Sequence, residues 1–174
     1  MGSQTHTGMD PAPNAANYVP LTPLSLLDWA VKVYPEHPAV IYGDQRLSYR
    51  AYDARCRRLA SALKARGVTP GATVAAMLPN IPPMLEAHFG VPMLGAVLNT
   101  INIRLDAATI AYILDHGKAK VLLTDTEFAP VIQEALHLAD NKPLVVDVED
   151  VLGPGGKRLG ELDYESLLAQ GSPE

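Results

Sequence analysis

The sequence predicts an α/β fold: a layered, mostly parallel sheet flanked by helices. Three observations carry that reading. Between residues 73 and 148, stretches of strand character alternate with stretches of helical period. The connections between them are too long for hairpins, so the strands must be joined by crossovers, and right-handed crossovers make the strands parallel. The first of these strands, residues 73–78, is apolar without alternation, as expected of a strand covered on both faces.

In chain order, Leu24, Leu27, Trp29, Ala30, Val31 and Tyr34 recur at roughly helical spacing, with Ser25 as the expected cap and Pro35 as the stop. Residues 39–42 and 47–49 are short β-rich runs about the turn signal Gly43-Asp44, which predicts a hairpin. Ser48 reads as the cap of the next helix. In residues 50–66 Tyr52, Cys56, Leu59 and Leu63 make one apolar stripe, with Gly67 beyond the helix end. Arg55, Arg57, Arg58, Lys64 and Arg66 fall mostly on the outer face, where cations near a helix C-terminus are favoured by the macrodipole and a solvated face is expected. After the strand at 73–78 a helix should start near Pro82, turning Met84, Leu85, Phe89 and Leu94 inward, and Pro92 should kink or end it. Val97-Leu98 reads as a short strand, Asp106 as the cap of a helix over 107–116, and 121–124 as a strand. A helix over 127–138, a strand over 144–148, a Gly/Pro-rich loop over 152–156 and a helical piece over 164–169 complete the pattern.

Charge and composition exclude several classes of function. The net charge is −5, split into +3 over residues 1–66 and −8 over the rest, so the basic surface that nucleic acid needs is missing. The lone cysteine, Cys56, can form no internal disulfide, which makes a reducing cytoplasm the default compartment. Residues 1–17 lack the cationic start and apolar core of a secretory signal and read as a flexible leader. The most apolar stretch, residues 89–98, is half the roughly 20 residues that a membrane span needs and is broken by Gly90, Pro92 and Gly95.

The search for a self-contained catalytic constellation is negative. No G-x-G-x-x-G follows a strand. Gly156-Lys157 resembles the end of a phosphate loop, but Val151 stands where that loop needs glycine and Arg158 where it needs a hydroxyl. His6, His37, His88, His116 and His137 show no metal-ligand spacing, and no serine sits in a G-x-S-x-G elbow. Cys56, on the apolar stripe, reads as packing.

A resemblance supplies what those patterns do not. The run Pro38-Ala39-Val40-Ile41-Tyr42-Gly43-Asp44, then Leu47-Ser48-Tyr49 and Leu59-Ala60-Ser61-Ala62-Leu63, resembles the amino-terminal signature of AMP-forming acyl-CoA synthetases, in the adenylate-forming (AMP-binding) ligase superfamily. The block from Gly71 through Leu78-Pro79-Asn80 is similar to the strand and loop that follow there, and the block from Gly95-Ala96-Val97-Leu98-Asn99-Thr100 to Asn102-Ile103-Arg104-Leu105 to the next one. The resemblance covers about residues 18–170. It implies that residues 18–174 are the amino-terminal part of the large catalytic domain, cut before the phosphate-binding loop that follows a segment like 163–169 in relatives. It implies ATP, Mg and CoA as cofactors of the parent enzyme, a fatty or aromatic carboxylic acid as substrate, and the remainder of the polypeptide as partner. No catalytic residue and no tight cofactor binding are expected of this stretch alone. Arg104 matches a position where some CoA ligases place arginine near the CoA phosphates; otherwise it flanks the cap at Asp106. The alternative to a catalytic-domain piece is a non-catalytic α/β binding or assembly module that kept the layer and lost the chemistry.

Overall fold

The computed structural model describes residues 22–174. The expected leader, 1–17, lies outside the described residues. Helix α1 (Pro23–Val33) leads to a hairpin of β1 (Pro38–Tyr42) and β2 (Gln45–Ser48), and then to α2 (Tyr49–Ala65). There follow β3 (Thr73–Met77), α3 (Pro82–Gly90), β4 (Val97–Thr100), α4 (Ala107–His116), β5 (Ala119–Asp125), α5 (Ala129–Leu138), β6 (Leu144–Val148), β7 (Leu162–Asp163) and α6 (Tyr164–Ala169). The five later strands form one parallel sheet in the order β4-β3-β5-β6-β7. The predicted α/β class is what the chain folds into.

Period-two alternation on strand β3 distributes the core over both faces. Val74 and Ala76 of β3 join Leu59 and Leu63 of α2, Met84 of α3 and Leu167 of α6, while Ala75 and Met77 meet Ile110 and Leu114 of α4 and Ile132 of α5. This is why residues 73–78 carry no polar alternation. A third cluster, Leu27, Val40, Tyr52 and Cys56, fastens α1 and the hairpin to α2, with Phe89 against Tyr52. Each fully buried leucine of these layers contributes about 2 kcal/mol.

Several boundaries depart from expectation. The cap of α1 is Thr22, whose hydroxyl accepts from Ser25 N, while the Ser25 hydroxyl answers by accepting from Thr22 N, so the expected cap is the second half of a capping box. Ser48 and Asp106 cap α2 and α4 as expected. Before α5 the chain makes a short 3-10 turn, Thr126–Phe128, because Pro130 cannot donate within the helix and suits its first turn. Leu85 is 45% exposed, not inward, and Trp29 is 56% exposed. Strand β7 was not expected: two residues are too short to carry a period.

Candidate functional site

In sequence order the parallel strands are β3, β4, β5, β6 and β7, so the sheet starts at β3, steps to one side for β4, then reverses past β3 to β5. That reversal is a topological switch point, and in open α/β sheets the crevice beyond the carboxyl ends of the strands there is the default ligand site. Three loops meet it: Pro79 and Asn80 after β3, Asn102 to Asp106 after β4, and Asp125 to Glu127 at the end of β5.

The loop after β4 is built by short polar side chains. Asn102 Oδ1 accepts from Arg104 N at 3.0 Å. Asp106 accepts from Thr109 N and from its hydroxyl, each at 2.9 Å, and these bonds hold its carboxyl below the usual range. Arg104 is exposed between these two anchors, and its guanidinium has no ion-pair partner among the described residues. An anchored backbone with an open planar fork can take a phosphate through paired hydrogen bonds.

The end of β5 is different. Asp125 and Thr126 are both 1% exposed. Asp125 Oδ1 accepts from Glu127 N at 3.0 Å, but Asp125 Oδ2 and Thr126 Oγ1 have no hydrogen-bond partner among the described residues. Burial pushes the Asp125 carboxyl up, and Glu127 is pushed up chiefly by burial and then by Asp125. Two buried polar atoms without partners at a strand's carboxyl end mark a place where a donor is wanted. Thr126 and Glu127 line a cavity of about 320 Å³ with Gly155, Gly156 and Lys157, and a side chain at Gly156 would run into the Thr126 carbonyl.

The hairpin closes over the neighbouring loop. Tyr42 donates its phenol proton to Asp150 Oδ2 at 2.6 Å, and Asp150 Oδ1 accepts from Leu152 N. The bond to Asp150 pushes the phenol up to about 12.

On the α2 face the expected solvated basic surface is corrected. Glu86 of α3 is fully buried; its two oxygens accept from Arg55 Nε at 2.5 Å and from the Tyr164 hydroxyl at 2.7 Å. The rest of the Arg55 fork holds both oxygens of Glu165. Arg57 pairs with Asp53, Arg58 donates to Gly171 O and Arg66 to Gln170 Oε1. Arg55, Arg58 and Arg66 turn toward the chain's own C-terminal segment, because α6 docks across α2 and brings acceptors to them, while Arg57 stays exposed and pairs within α2. A charged residue at 86 inside an otherwise apolar helix was the signal for this in the sequence.

Cys56 lacks the surroundings of a nucleophile. It is buried, and burial followed by the charge of Glu86 pushes its thiol well up. Among the described residues no three His, Cys, Asp or Glu side chains are grouped to hold a metal. No helix among the described residues is long and apolar enough to cross a membrane.

Comparison with known proteins agrees with this architecture. The family model described as AMP-binding enzyme matches residues 27–166. The chain is 45% identical to the peroxisomal acetate/butyrate–CoA ligase AAE7 of Arabidopsis thaliana over 170 residues, covering 91% of this chain and 30% of that protein. It is 43% identical to the peroxisomal benzoate–CoA ligase of the same plant, over 91% of this chain and 28% of the relative. Among solved structures it is similar to the anthranilate CoA ligase AuaEII in complex with anthranoyl-AMP, with a TM-score of 0.77 at 22% identity over 87% of this chain and 28% of the other. The benzoate CoA ligase of Burkholderia xenovorans gives 0.72 at 21%, over 86% and 28%. At those identities the structures show the fold. The chain thus spans less than a third of the length of the relatives it matches, and within that span it belongs to the AMP-binding enzyme family.

Proposed function

We propose that residues 18–174 are the amino-terminal part of the catalytic domain of an acyl-CoA ligase. The observation that carries this is the 45% identity to an acetate/butyrate–CoA ligase across 91% of the chain. With ATP and CoA bound, such a parent joins a carboxylate oxygen to the α-phosphorus with loss of pyrophosphate, then passes the acyl group to the CoA sulfur with loss of AMP. This stretch contributes the wall of the site and the loops of the switch point, while the donors that steady charge at phosphorus come from elsewhere in the parent. A fatty or aromatic acid is the proposed substrate class, since relatives named for butyrate and benzoate each match over 91% of this chain.

Arg104 is the proposed contact to a CoA phosphate. Its place on an anchored loop at the carboxyl edge, exposed and without an ion pair among the described residues, supports that role. In the parent, Arg104→Ala should raise the CoA concentration needed for half-maximal thioester formation about tenfold, the loss of one charge-assisted contact. Acid-dependent exchange of labelled pyrophosphate into ATP should not change. Equal CoA dependence in the two proteins removes Arg104 from the site.

The exposed apolar side chains of α1 and the hairpin, Leu26, Trp29, Val33, Tyr34 and Ile41, support a domain piece over a free-standing module. Size-exclusion chromatography of residues 18–174 should show association, and pyrophosphate exchange should be absent. A monodisperse, cooperatively melting monomer would favour the module, and exchange by the piece alone would overturn the assignment of phosphate chemistry to the rest of the parent. The cytoplasm is the proposed compartment, on the single reduced cysteine; the two relatives above are named peroxisomal, and fluorescence imaging of the tagged parent decides between them.

A further inference from the structure

One cavity, on the face covered by α2, α3 and α6, takes no part in the site described above. It holds about 230 Å³ and lies between the end of the hairpin, the first turn of α3, the end of β6 and helices α2 and α6. Its floor is apolar. Ile81 and Val148 are buried beneath it, and Pro82 and Pro83 have no N–H to offer a polar ligand. Tyr42, fixed by its bond to Asp150, makes an aromatic wall. At the mouth Val151 is 91% exposed, and Leu152 beside it 61%.

The rim is acidic: three carboxylates, Glu149, Asp150 and Glu165, line the cavity with one guanidinium, Arg55. The Arg55 fork is spent on Glu86 and Glu165, so it has no donor left for an anion. Asp150 is spent on Tyr42 and on Leu152 N. Glu149 is not. Its side chain is 63% exposed, and its one ion-pair partner among the described residues, Arg158 Nε, stands 3.7 Å away, beyond hydrogen-bond reach. Arg158 is committed elsewhere, with Nη2 at 2.8 Å from Asp163.

An apolar floor under a carboxylate rim fits a long cationic side chain, which lays its methylenes on the floor and keeps its head at the rim. The volume falls short of the roughly 300 Å³ at which small-molecule sites begin, and suits one side chain. Arginine fits better than lysine, because its planar fork can take both oxygens of Glu149. Val151 and Leu152 offer contact to the apolar neighbours of such an arginine.

We infer that this cavity is a docking site for a separate protein, which inserts one arginine flanked by apolar residues and sets its guanidinium on Glu149. Charge complementarity selects that occupant, and the inference stands independently of the ligase reading.

Fluorescence anisotropy tests it on the full chain, with a labelled and end-capped pentapeptide, Ala-Leu-Arg-Leu-Ala, as the probe. The peptide should bind one to one, and the same peptide with glutamate in place of arginine should not bind. Glu149→Lys should weaken binding about tenfold or more, the loss of one charge-assisted pair. Val151→Ser should weaken it about threefold through lost apolar contact. Glu134→Lys, the same change of charge at an exposed position of α5, should leave it as in wild type. Glu149 and Val151 are exposed, so all three variants should melt with the wild-type chain. Binding that is absent at millimolar peptide, or indifferent to Glu149→Lys, overturns the inference. Equal losses in Glu149→Lys and Glu134→Lys reduce the binding to bulk charge and overturn it as well. Binding that weakens as chain concentration rises gives the cavity to a second copy, and binding lost in a longer polypeptide gives it to the rest of that chain; either result also overturns it.

Discussion

Buried polar groups are handled differently in two regions of this molecule. Under α2 and α6, the Glu86 carboxylate is fully buried and fully partnered by Arg55 and Tyr164. At the carboxyl end of β5, Asp125 and Thr126 are nearly as deep, yet Asp125 Oδ2 and Thr126 Oγ1 have nothing to bond among the described residues. A satisfied buried network rigidifies and specifies packing, whereas an unsatisfied one costs stability and persists where something else completes it. The first region is scaffold, and the second, at the switch point, is the candidate site.

The largest test of that contrast is Arg55→Met. It strands Glu86 without its cation, and because the Arg55 side chain is 22% exposed, the loss should fall near the low end for a broken buried pair, about 3 kcal/mol in a urea melt. A loss under 1 kcal/mol would show that the network does not hold α6. Tyr42→Phe, which removes a half-buried bond to Asp150, should cost about 1 kcal/mol and speed hydrogen exchange in residues 149–153.

Asp125→Asn should have the opposite sign. Its folded-state carboxyl is held above its unfolded value by burial, so the fold binds that proton more tightly than the unfolded chain does. Stability from this group is therefore full below the unfolded value and lost as pH rises through the folded one. The amide should stabilise the protein by about 1 kcal/mol at neutral pH and by nothing at pH 3 or so, where both forms are neutral. Destabilisation at neutral pH would show that the carboxylate already has its partner. The smallest expected effect is Arg104→Ala, within about 0.5 kcal/mol of wild type, since an exposed guanidinium with no ion pair among the described residues supports no packing. A larger loss would return Arg104 to the role of flanking the helix cap.

The α/β class, the two-sided strand β3, the stripe Tyr52-Cys56-Leu59-Leu63 and the caps Ser48 and Asp106 were legible in the sequence. Each depends on neighbours within one or two turns, or on a period that any stretch of chain displays. The family resemblance placed Arg104 on the loop after β4 for the same reason, being a match of contiguous residues. The orphaned pair at Asp125 and Thr126 had no such signal, because Thr-Asp-Thr-Glu reads as an ordinary strand end followed by a turn.

What the sequence determined by itself is the alternation of strands and helices, hence a parallel sheet with helices on both faces. Only the tertiary structure decided the strand order, the switch point at β3, and which charges are buried. Arg55 and Glu86 are 31 residues apart, and Arg55 and Glu165 are 110 apart. No local period encodes such a meeting; it exists only once α2, α3 and α6 have packed on one face of the sheet and closed the space between them to water.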